Sequence, residues 1–63
     1  MHNINEKIIE VNRSILKTKI GGNMVIEDCN NIIVKAEQGL CEEIDLKESI
    51  KILKMFKELN GEG

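Results

Sequence analysis

Two cysteines, Cys29 and Cys41, and one histidine, His2, are all that this 63-residue chain offers a soft metal ion. A tetrahedral zinc site needs about four Cys or His ligands at short spacings such as C-x2-C, and that pattern is absent. The N-terminal stretch Met1-His-Asn-Ile-Asn-Glu6 is polar and lacks the apolar core of a secretory signal. The expectation is therefore a cytoplasmic chain in a reducing compartment, with both thiols free and behaving as small apolar groups. No apolar run approaches the ~18 residues that span a bilayer, which predicts a soluble protein with no membrane contact. Trp, Tyr and Pro are also missing, and Phe56 is the only aromatic residue.

Catalysis by this chain alone is not expected. His2 is terminal, and Ser14 and Ser49 lack the local signatures of a nucleophile, so no nucleophile–base–acid set can be assembled. Gly21-Gly22 leads into Asn23 without the lysine of a phosphate-binding loop. Glu42, Glu43 and Asp45 gather after Gly39, but the Asp-x-Asp-x-Asp-Gly pattern of a calcium loop is absent, and the cluster reads as a solvated acidic connection. Neither a metal nor a cofactor is implied. Lys47, Lys51 and Lys54 share one helical face, with Lys17 and Lys19 elsewhere, yet the net charge is −2 and Arg13 is the only arginine. Such a chain lacks a strong phosphate-tracking footprint, which leaves a small nucleic-acid-binding regulator as the alternative function.

What the chain does have is apolar surface. Hydrophobic residues make up 41% and charged residues 32%, too apolar for disorder and consistent with one small domain over 1–63. A domain this size buries only roughly 60% of its unfolded surface. It usually needs a staple, and with disulfides and metals set aside the remaining staple is a partner.

Three segments are marked out by Gly21-Gly22, Gly39 and Gly61. In the first, Asn3 is placed to cap a helix over 3–20, with Glu6 at the capping-box position. Ile4, Ile8, Val11 and Ile15 recur at helical spacing, and Ile9, Leu16 and Ile20 form a second stripe beside them. The combined face is about 180° wide, more than a surface helix needs, so it meets two neighbours or another molecule. Asn5 and Asn12 lie between the stripes; the favoured reading leaves them solvated, the other has them fix a register.

The second segment fits a helix over 24–38, with Asn23 as N-cap, Glu27 and Asp28 in its first turn, and Val25, Cys29, Ile32 and Ala36 as its inner face. The alternative is an α+β fold with a β-hairpin over 24–36 turning at Asn30-Asn31, which the β-branched runs favour. The third segment reads as a helix over 45–60, capped by Asp45 with Glu48 completing the box. Its stripes Leu46, Ile50, Leu53 and Ile52, Phe56, Leu59, with Met55 at the margin, give an apolar arc of about 220°. Such an arc predicts burial on two sides.

Ala36-Glu-Gln-Gly39 and Leu46-Lys-Glu-Ser49 resemble pieces of the helical hairpin of the exonuclease VII small subunit. Leu40–Glu43 would be an insertion and the first helix has no counterpart, so no functional residue is carried over. The resemblance implies a small helical accessory chain. From the residues themselves, the expectation is an all-α fold, a three-helix bundle or a helical hairpin plus an N-terminal helix, completed by dimerisation. Its function would be non-catalytic: a regulator, inhibitor or accessory subunit that binds itself or a larger bacterial protein. Ile9, Leu16, Ile20, Ile52, Met55, Phe56 and Leu59 are the expected contact residues. The heavy use of Ile, Lys and Asn points to an AT-rich bacterial or phage genome.

Overall fold

The structure, a computed structural model, describes residues 3–61; His2 lies outside them. It is an all-α bundle of three helices, α1 (Ile4–Thr18), α2 (Gly22–Glu37) and α3 (Glu43–Leu59), with no strand among the described residues. The Asn30-Asn31 turn of the hairpin alternative is continuous helix. Local β preference yields here to packing: Cys29 and Ala36 are buried against α1, and Val25 and Ile32 are half-buried beside them. An isolated two-stranded ribbon would have had no comparable face to cover.

The helix ends differ from the sequence reading in instructive ways. Asn3 caps α1 by accepting from the Asn5 backbone N–H at 2.9 Å, as its position suggests. At the other end, the left-handed cap is Lys19 (φ 57°), two residues before the glycines expected to supply it. Thr18 holds this turn, its Oγ1 accepting from the Ile20 N–H at 3.3 Å. Gly21 (φ 89°), not Asn23, is the N-cap of α2. The earlier start moves Glu27 and Asp28 beyond the first turn, so they do not complement the positive end of the helix. Gly39 (φ 75°) ends α2 as expected. Its N–H donates to the Ala36 carbonyl at 2.9 Å and the Leu40 N–H to the Lys35 carbonyl at 3.1 Å, the paired bonds of a Schellman turn. In α3 the box begins three residues earlier than expected: Glu42 is the N-cap, and its N–H donates to Asp45 Oδ2 at 2.8 Å.

The central element is α1, not α2. Both α2 and α3 pack on α1, while no Cα of α2 comes within 8 Å of a Cα of α3. The wide face of α1 is thereby explained by two neighbours in the same chain. Its core has two parts: Val11 and Ile15 meet Cys29 and Phe56, and Ile8 meets Ala36 and Cys41. The Asn5 side chain ties the α2–α3 connection to α1, its Oδ1 accepting from the Cys41 N–H at 3.0 Å.

Candidate functional site

Between α2 and α3, over the floor supplied by α1, runs a cleft of about 250 Å³. Asn12 and Cys29 lie at its base; Val25, Asp28 and Ile32 line one wall, and Asp45, Glu48, Ser49 and Ile52 the other. Asn12 is only 3% exposed. One amide proton goes to the Ile8 carbonyl at 2.8 Å and the other to Ser49 Oγ at 3.0 Å. The reading of Asn5 and Asn12 as solvated is thus corrected, because each bonds across to another part of the chain. At one end the cleft is spanned by an ion pair between Lys35 Nζ and Asp45 Oδ2 at 3.7 Å.

The expected contact residues separate into two groups. Leu16 and Ile20 are half-buried against the Val11, Ile15, Cys29 and Phe56 cluster, and Ile9 against Ile8, Ala36 and Cys41. This stripe of α1 is covered largely by its own chain. Phe56 is 9% exposed and belongs to the core. By contrast, Ile52, Met55 and Leu59 remain 40%, 51% and 70% exposed. Their spacing of three and four residues sets them in one row along α3, and Ile52 brings that row to the edge of the cleft. The apolar arc of α3 is therefore covered on one side by α1 and open on the other.

Charge is divided across the bundle. Lys35 is the only basic residue of α2, which also carries Glu27, Asp28 and Glu37, and the first turns of α3 add Glu43, Asp45 and Glu48. Lys47, Lys51 and Lys54 lie exposed on the outer face of α3, and Lys17 is exposed on α1. Among the described residues no group of three His, Cys, Asp or Glu side chains is placed to hold a metal ion, and Asp45 serves the α3 cap and the Lys35 pair. No helix among them is long and apolar enough to cross a membrane.

Cys29 and Cys41 are free and buried, in separate halves of the core. Burial and then the charge of Asp28 raise the Cys29 thiol above its ordinary 9.0. Burial and then Asp45 raise Cys41, with Lys35 acting the other way. Thiolate is the reactive form, so iodoacetamide is expected to label both slowly in the native chain and rapidly in denaturant. Rapid native labelling of either would contradict its placement. Because folding raises both values, the thiols' contribution to stability is intact below the unfolded value and is lost as pH rises through the folded one. Urea midpoints should therefore fall as pH climbs past 9.0, and fall less in a Cys29→Ala, Cys41→Ala chain.

Of the cleft residues, Val25, Cys29 and Ile32 lie on the inner face expected of the second helix and Ile52 is an expected contact residue, whereas the pairing of Asn12 with Ser49 across two helices has no signature in either segment alone. Comparison of the chain with protein-family models, with curated proteins and with solved structures finds no match in any of the three, so the resemblance to the exonuclease VII small subunit gains no support there.

Proposed function

We propose that this chain is a non-catalytic protein-interaction module, a small helical regulator, inhibitor or accessory subunit that docks onto a larger protein through the open side of α3. The observation that carries this reading is the row Ile52, Met55 and Leu59, left exposed although the core closes without it. An apolar centre within a polar, solvent-accessible rim is the usual anatomy of a docking patch. A second reading, self-association, is supported by the order of charge along α3. Glu43, Asp45 and Glu48 outnumber Lys47 in its first half and Lys51, Lys54 and Lys57 outnumber Glu58 in its second, so two antiparallel copies would set a net acidic half beside a net basic one.

A Met55→Glu, Leu59→Glu chain tests both. Surface changes of this kind alter stability by about 0.5 kcal/mol or less, so its melting curve should match the parent. On the first reading the parent is monomeric by light scattering and a larger chain co-purifies with it from its source cells, but not with the variant. A dimer in the parent and a monomer in the variant would instead favour self-association. A monomeric parent that retains nothing would remove both.

A further inference from the structure

We propose that the cleft between α2 and α3 receives a cationic amphipathic helix of the partner protein, which becomes the fourth helix of the bundle; this rests on the docking reading above. The cleft has the form such a helix needs. Val25 to Ile32 on one wall and Asp45 to Ile52 on the other each cover eight residues, about 10 Å of helix from first to last, or roughly two turns of contact. No Cα of α2 lies within 8 Å of a Cα of α3, so the two walls are not packed on each other and the groove between them is open to a further element. Val25, Ile32 and Ile52 offer apolar contact, and the adjoining row of Met55 and Leu59 extends it along α3.

The charge on the walls selects the occupant. Asp28 stands on the α2 side and Glu48 on the α3 side; the one basic group at the cleft is Lys35 at its end, and it is paired with Asp45. A helix entering with its apolar stripe downward would carry its flanking residues to the level of Asp28 and Glu48, where Lys or Arg pairs and Asp or Glu repels. A second copy is a poor occupant. Cleft against cleft brings the same carboxylates together, and an α3 entering from a second copy would bring its own Asp45 and Glu48, which share the face of Ile52, into the same acidic cleft.

The test uses the full chain, labelled with ¹⁵N, and two synthetic 18-residue helical peptides with one Leu/Ala stripe, flanked in one peptide by Lys and in the other by Glu. The Lys peptide is expected to shift the amides of Val25, Cys29, Ile32 and Ser49, and to bind about tenfold or more tightly than the Glu peptide. In an Asp28→Lys, Glu48→Lys chain the preference should reverse. Equal binding of both peptides would overturn the inference while leaving apolar docking intact. It is also overturned by shifts confined to the lysine face of α3, by no binding up to about 1 mM, or by cleft amides that move with chain concentration alone. In those cases the co-purification of a larger chain with the parent, and its loss in Met55→Glu, Leu59→Glu, judges the docking reading separately.

Discussion

Phe56→Ala is expected to leave the chain largely unfolded at room temperature. Phe56 is the only aromatic side chain, and it joins Val11 and Ile15 of α1 to Cys29 of α2 in one cluster. Its ring also fits closely under the α1–α2 turn, where a Cβ built on Gly21 would lie 3.3 Å from Cζ. Removing a buried Phe costs about 3–5 kcal/mol, through lost transfer energy and the cavity left behind. At about 0.05–0.15 kcal/mol per residue a chain of this length has a total stability of the same order. Circular dichroism should show loss of the cooperative melt, whereas Met55→Ala, one residue earlier and half exposed, should melt with the parent. A Phe56→Ala chain with an unchanged melting temperature would show that the ring is not part of the core. For the same reason Phe56→Asp is no probe of an interface, since it would abolish the fold before any partner was consulted.

The contrast between Phe56 and its neighbours shows what periodicity reveals and what it leaves open. Ile52, Phe56 and Leu59 recur at helical spacing, so their membership of one stripe was legible in the sequence. Which part of a stripe faces the core depends on where the other helices lie. With α1 on one side of α3 and no backbone of α2 near the other, Phe56 turned inward and Leu59 outward. Likewise the wide face of α1 indicated two neighbours, but its length and position gave no sign that both belonged to the same chain.

The helix termini divide along similar lines. Gly39 and Gly61 mark ends because a left-handed residue there is a local requirement that sequence displays. The starts of α2 and α3 were misplaced by two or three residues because alternative caps compete, Gly21 with Asn23 and Glu42 with Asp45. In both, the earlier residue began the helix, and the later one was absorbed into it. The cleft was least legible of all, since it is formed by two helices failing to meet, and no single segment records that.

Asn12→Ala is the second large effect expected, and it bears on what holds the cleft open at a fixed width. Asn12 is the one side chain that spans from the floor helix to the α3 wall by a buried hydrogen bond, and it also returns a proton to the carbonyl of Ile8. Its truncation removes both bonds and leaves the buried Ser49 hydroxyl without its donor, a loss of about 1–3 kcal/mol. Ser49→Ala should cost less, because Asn12 keeps its bond to Ile8. The double variant should then cost less than the sum of the two, with a coupling above the ~0.3–0.5 kcal/mol expected of independent sites. Urea denaturation of the four chains measures that coupling. The direction of the asymmetry is informative: if the two single changes were equal and additive, the Asn12–Ser49 contact would be incidental. The register of α3 on α1, and with it the placement of Glu48 and Ile52 along the cleft, would then rest on apolar packing alone.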